Sequence, residues 1–105
     1  MIYRFGGEEF AIIVNCNCEA HAEAAFNRFR VATQEHVFPQ VGRITISLGF
    51  TALRPGDTPS AAFERADKAV YYAKTHGRNQ VCNHAALVAS GEVTEVTDTH
   101  ELEMF

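Results

Sequence analysis

Residues 10–14, Phe-Ala-Ile-Ile-Val, are apolar at five successive positions. Side chains of a strand alternate between its two faces, so a run without a polar break belongs to a strand covered on both sides. A chain with such a strand must supply a layer above it and a layer below. The expected fold class is therefore α+β, an α/β sandwich with helices covering a central sheet.

Two segments have the pattern of covering layers. From about 19 to 37, Ala22, Ala25, Phe26, Phe29 and Ala32 recur at spacings of three and four and give one apolar face. Pro39 and Gly42 close that segment. A second helix is expected from about 59 to 76, with Thr58 as N-cap, Pro59 as first helical residue and Gly77 as the stop. Its buried stripe would be Ala62, Phe63, Ala66, Val70 and Ala73. Phe26, Phe29 and Phe63 are assigned to the core, and one of Tyr71 and Tyr72 to the surface.

Strands fill the remaining positions. Residues 43–53 are β-branched and alternating, with Ile44, Ile46 and Leu48 pointing one way. Residues 1–5 can pair with 10–14 through a hairpin whose turn is Gly6-Gly7-Glu8-Glu9. Residues 80–83 make a last short strand. Beyond His84 no clear period remains.

The charge distribution divides the chain. Residues 1–78 carry all nine Lys and Arg against eight acids, whereas 79–105 carry five acids and no Lys or Arg. The body is close to neutral and has no basic face of the kind that binds nucleic acid. No apolar run approaches the roughly 20 residues that span a bilayer, and no signal peptide precedes the first strand, so a cytoplasmic setting is expected. Cys16, Cys18 and Cys82 are an odd count, which argues against a disulfide framework. Cys16-Asn17-Cys18 with His21 resembles half a zinc site, but no second ligand cluster follows, and these are read as reduced thiols.

Two short stretches could carry chemistry. Glu8 and Glu9 at a hairpin tip would point away from the strand cores and repel one another, and a divalent cation would relieve that repulsion. The glycines before them leave room for a phosphate to approach the backbone. A solvated turn bearing two acids is the bland alternative. In Ala73-Lys-Thr-His-Gly-Arg-Asn79, Lys74 lies in the last helical turn and Arg78 just beyond Gly77. Both suit a helix C-terminus by the dipole alone, and both could clamp a polyphosphate, Arg as a fork and Lys as a point charge.

Taken together, these stretches resemble a known family. Arg4-Phe-Gly-Gly-Glu-Glu-Phe10 is similar to the signature of the GGDEF family, the diguanylate cyclases, in its GGEEF variant. Residues 45–53 and 65–81 resemble later segments of the same domain, in the same order. The resemblance covers residues 3–81 and implies a nucleotide-cyclase, ferredoxin-like palm with a mostly antiparallel sheet. It also implies an activity: two GTP molecules condense to cyclic di-GMP with magnesium (or manganese), as a bacterial second-messenger signal. By matching position, Gly6 and Gly7 would lie against the nucleotide, and Glu8 would be the metal ligand. Glu9 would support metal or ribose positioning, Lys74 and Arg78 would hold the terminal phosphates, and Arg4 would stabilise charge near the turn. Asp67 matches the pattern too and is expected to make a structural hydrogen bond.

The resemblance also marks departures. The family's first third carries a strand with a magnesium-binding Asp and helices whose Asn and Asp recognise guanine, and none of these has a counterpart here. Residues 1–84 therefore read as the C-terminal part of the domain and 85–105 as an acidic tail, with the product-inhibition motif falling before Met1. The missing strand would lie between the hairpin and residues 43–53. Bare strand edges there predict a homodimer, a domain-swapped oligomer or a tail folded into the gap. An upstream sensor or receiver domain is expected in a longer parent protein. The expected function is a diguanylate cyclase domain with impaired turnover. The alternative is a non-catalytic GGDEF-type module that binds nucleotide or a protein partner.

Overall fold

A computed structural model of the chain describes residues 2–5 and 9–94, with side chains from Glu9 onward except that of Cys16. The elements in order are β1 (Ile2–Phe5), β2 (Glu9–Val14), a 3-10 turn (Cys16–Cys18), α1 (Glu19–Glu35), β3 (Ser47–Ala52), α2 (Pro59–Thr75), β4 (Val81–Asn83) and α3 (His84–Ala89). They form one sheet in the order β1-β2-β3-β4.

The 10–14 run is indeed a strand covered on both faces. Ile12 packs with Ile46, Leu48 and Phe50 on one side, where Phe26 of α1 meets Phe50 edge-on at 5.3 Å. Ala11 faces the other way, against Ala66 and Val70 of α2. Ala69, Ala73, Cys82 and Leu87 extend that second layer under α3. Burial in this layer pushes the Cys82 thiol up to about 11, which leaves it protonated and unreactive at neutral pH.

Helix α2 begins and ends where its sequence signals lie. Thr58 Oγ1 accepts from the Ala61 backbone N–H at 3.1 Å, with Pro59 in the first turn. Thr58→Ala should cost about 1 kcal/mol, read as a lowered urea midpoint with an unchanged slope. No described helix is long and apolar enough to cross a membrane.

The sheet departs from expectation in two ways. Only β1 and β2 are antiparallel; β2–β3 and β3–β4 are parallel, so the sheet is not mostly antiparallel. Moreover β2 pairs directly with β3, from Glu9 opposite Ser47 to Val14 opposite Ala52, and leaves no gap for an intervening strand. The two edges expected to be bare satisfy each other, so they give no reason for strand exchange. Parallel neighbours need a crossover, and α1 and α2 provide the two crossovers.

Helix α1 is turned from its expected face. Phe29 is 57% exposed, and Ala25 and Ala32 are exposed with it, while Thr33 is buried. Polar tethers to the β4 flank account for this rotation. Arg30 and Gln34 bond to Asn79, and Asn83 Nδ2 donates to Glu19 Oε1 at 2.6 Å. These contacts bring Arg30 inward and leave the Phe29 side outward. Phe63 is half-buried rather than core, and Tyr71 is exposed while Tyr72 is half-buried.

Helix α3 had no sequence signal and is decided by packing. Asn83 Oδ1 caps it at the Ala85 N–H, and Leu87 buries against α2 and β4. The Tyr72 hydroxyl donates to the Glu92 carboxylate and fixes the chain beyond α3 to α2.

Candidate functional site

Glu9 is the first residue of β2, and it is 6% exposed. It is thus not at a hairpin tip facing solvent. Its backbone lies opposite Ser47 of β3, and its carboxylate turns toward the loop after α2. There Arg78 Nη1 donates to Oε2 at 2.5 Å, and Lys74 Nζ lies 3.7 Å from Oε1. A carboxylate withdrawn from water needs such partners, because an unpaired buried charge is costly. Lys74 and Arg78 themselves remain about half exposed.

The loop reaches Glu9 because α2 stops abruptly. Gly77 has φ +107, which a residue with a Cβ adopts poorly, and the Arg78 N–H closes back onto the Ala73 carbonyl at 2.8 Å. This is the glycine-terminated helix end anticipated from sequence. Arg78 (φ 59) and Asn79 (φ 47) continue in the left-handed region. The reversal places Arg78 back over the N-terminal ends of β2 and β3.

Beside the ion pair lies a cleft of about 300 Å³ lined by Glu9, Arg43, Ile44, Thr45, Ser47 and Arg78. A larger cavity, about 520 Å³, opens at the opposite ends of the same strands and includes Ile13, Val14, Leu53, Pro59 and Ala62. That cavity is mostly apolar, and the carboxylate in it, Asp57, is already bound by Arg65 at 2.6 Å. Size favours the apolar cavity, but convergent charge favours the smaller cleft. Polar recognition of a phosphate needs donors, so the cleft at Glu9 is the candidate site.

Three of the residues singled out from sequence, Glu9, Lys74 and Arg78, are brought together across more than sixty positions of chain. Arg4 is placed in β1 opposite Phe10 by its backbone. Gly6, Gly7 and Glu8 lie outside the described residues. The Asp67 side chain makes no hydrogen bond among the described residues; burial and the neighbouring Glu64 raise its carboxyl above the usual range. Sequence reasoning overlooked Arg43, Ser47 and Asn79. Of these only Asn79, in the quoted Gly-Arg-Asn turn, carried a local signal.

The donor set limits metal binding. Among the described residues no group of three or more His, Cys, Asp or Glu side chains converges. Both oxygens of Glu9 face cations, so Glu9 does not fit the role of metal ligand. The arrangement suits an anion: Arg78 uses only Nη1 on Glu9 and keeps its other donors, and Lys74 is a point charge on the adjacent turn.

Comparison with known proteins identifies a family. Residues 1–80 match the family described as "Diguanylate cyclase, GGDEF domain". Response regulator PleD of Caulobacter vibrioides is 39% identical over 89 residues, covering 79% of this chain and 20% of PleD. Diguanylate cyclase DgcP of Pseudomonas aeruginosa is 37% identical over 83 residues, covering 76% of this chain and 12% of DgcP. Diguanylate cyclase A of Treponema denticola is 35% identical over 82 residues, covering 74% of this chain and 22% of that protein. The chain thus spans between 12% and 22% of the length of these relatives. No solved structure matches it significantly. A match that runs through the glycine-glutamate motif and past Arg78 to residue 80 shows that this chain belongs to the GGDEF family of diguanylate cyclase domains.

Proposed function

We propose that the chain forms the phosphate-holding end of a diguanylate cyclase active site, acting on GTP to give cyclic di-GMP. The observation that carries this reading is the convergence of Lys74 and Arg78 on Glu9 beside a polar cleft. In the proposed reaction each ribose 3′-oxygen forms a bond to the α-phosphorus of the other GTP. The α–β bridging bond breaks, pyrophosphate leaves with its electron pair, and the hydroxyl proton passes to a base.

Lys74 and Arg78 hold the terminal phosphates and stabilise the charge that grows on departing pyrophosphate. Glu9 keeps the two cations aligned while sacrificing little of Arg78's donor capacity. Gly6 and Gly7 let the nucleotide approach the backbone, and Arg4 adds positive charge near the turn. Glu8 is the residue left to bind magnesium or manganese and to help deprotonate the hydroxyl, since Glu9 is occupied. When bound, such an ion supplies charge neutralisation of the triphosphate. Joining two nucleotides requires two copies of the site, so a homodimer is part of the proposal, as is an upstream sensor or receiver domain that would bring the copies together.

The test is turnover of GTP with magnesium, followed by chromatographic and mass detection of cyclic di-GMP. Product is expected from the wild-type chain, slowly, and none from Glu8→Gln. Arg78→Ala should weaken GTP binding by roughly tenfold or more, the scale of a hydrogen bond to a charged group. Equal product from Glu8→Gln, or GTP affinity indifferent to Arg78, overturns the reading.

A further inference from the structure

We propose that Arg30, on α1 and outside the cleft, is a positioning residue that sets the Arg78 guanidinium by locking the left-handed turn on which Arg78 sits. The inference rests on the reading of the cleft as a triphosphate site and adds how that site is built and which element it answers to.

The starting observation is conformational. Two consecutive residues with a Cβ, Arg78 and Asn79, have φ of 59 and 47. Each such residue is disfavoured, and a sparsely populated backbone persists only where its surroundings over-determine it. Here the surroundings do so from three elements. The Arg78 N–H is held by Ala73 of α2 at 2.8 Å, and the Asn79 N–H by Ser47 Oγ of β3 at 3.1 Å. From α1, Arg30 Nη1 donates to Asn79 Oδ1 at 3.1 Å, and Asn79 Nδ2 donates to Gln34 Oε1 at 3.2 Å.

Asn79 is therefore gripped by both ends of its amide. Arg30 is the charged member of that grip, and its Nε is in turn fixed by Asn27 Oδ1 at 3.2 Å. A charged donor on a neutral acceptor is stronger than a neutral pair, so Arg30 contributes most of the side-chain hold on Asn79. Arg78, the adjacent residue, has a long side chain whose reach to Glu9 depends on the direction in which the turn launches it. Rotating the turn by even a modest angle would carry the guanidinium off Glu9 and away from the cleft. Packing would instead have placed the Phe29 side of α1 inward, as the apolar spacing predicted. The helix forgoes that burial in favour of the polar tether.

A double-mutant cycle on the full 105-residue chain tests this, with inorganic triphosphate as the probe and calorimetric affinity as the readout, measured well below each variant's thermal midpoint. Arg78→Ala and Arg30→Ala should each weaken binding, by roughly tenfold. Because Arg30 acts through Arg78, adding Arg30→Ala to Arg78→Ala should change the affinity little further. Arg30→Lys should recover part of the loss. Asn79→Gly, which accepts positive φ without strain but removes both side-chain tethers, leaves the turn unlocked and should reproduce the Arg30→Ala loss even if Arg30→Ala folds poorly.

Additive losses in the cycle, or an Arg30→Ala variant that melts earlier but binds like wild type, overturn the positioning role while leaving the cleft reading intact. A wild-type chain that binds neither triphosphate nor GTP overturns both together.

Discussion

Gly49→Ala is expected to unfold the chain or to lower its stability by about 3 kcal/mol or more. Gly49 lies in the middle of β3, where α2 crosses. A Cβ built there would come within 2.2 Å of the Val70 nitrogen, 2.6 Å of the Ala69 carbonyl carbon and 2.7 Å of the Val70 Cα. These are backbone atoms of a helix, so no rotamer change relieves the overlap; α2 must lift from the sheet. Overpacking commonly costs 1–3 kcal/mol where side chains can yield, and here they cannot. Lifting α2 would also open the contacts of Ala66, Ala69, Val70 and Ala73, all buried on its inner face. Small domains have total stabilities on the order of 5–15 kcal/mol, and this one is short. A urea titration followed by far-ultraviolet circular dichroism should show the midpoint reduced by about 1 M or more, or no transition at all. A midpoint within error of wild type would mean that α2 does not seat on β3 as described.

The second large effect is at Asp57 and Arg65. Arg65 is 8% exposed and donates to Thr51 Oγ1, to the Ala52 carbonyl and to both oxygens of Asp57. Asp57 also accepts from the Arg54 N–H at 2.7 Å. Asp57→Ala would leave a guanidinium withdrawn from water with no counter-charge, a change that typically costs about 3–5 kcal/mol. The bidentate bond from Arg65, reinforced by the Arg54 N–H, holds the Asp57 carboxyl down at about 2, from an ordinary 3.8. A lowered carboxyl stabilises the fold at pH above its ordinary value, and that contribution is lost as pH falls from about 4 toward 2.

Wild type should therefore lose thermal midpoint across that window, and Asp57→Asn, already weaker at neutral pH, should lack this part of the fall. Asp67 works in the opposite sense. Its carboxyl is raised, chiefly by burial, so it penalises the fold when ionised, and Asp67→Asn should gain stability at neutral pH. Replacing the pair together, as Asp57→Leu with Arg65→Met, should be far less damaging than Asp57→Ala, because no charge is left stranded. An acid profile of Asp57→Asn that parallels wild type through pH 4 to 2 would refute the assignment.

Legibility in the sequence followed the range of the forces involved. The caps of α2 were readable because Thr58, Pro59 and Gly77 act within one turn of themselves. The strand at 10–14 was readable because an unbroken apolar run requires cover wherever it is placed. Lys74, Arg78 and Glu9 were singled out from the sequence, but their convergence on one another was not legible there. Arg30 and Asn79 are separated by 49 residues, and no local pattern announces a bond of that separation. The α1 face was misread for the same reason: its orientation is set by Asn79 and Asn83 on the far side of β3, not by the spacing of its own apolar residues.

The sequence by itself determined that the four strands, α1 and α2 form, where α2 starts and stops, and which family the glycine-glutamate motif belongs to. These follow from backbone preferences, capping and side-chain alternation, which are local. Only the tertiary structure decided that β2 lies against β3 in parallel, that the Glu9 carboxylate is buried facing Arg78, and that Phe29 remains exposed while Arg30 turns inward. Each of those outcomes depends on which distant surfaces satisfy one another's hydrogen bonds and charges, a competition that is settled when the layers meet.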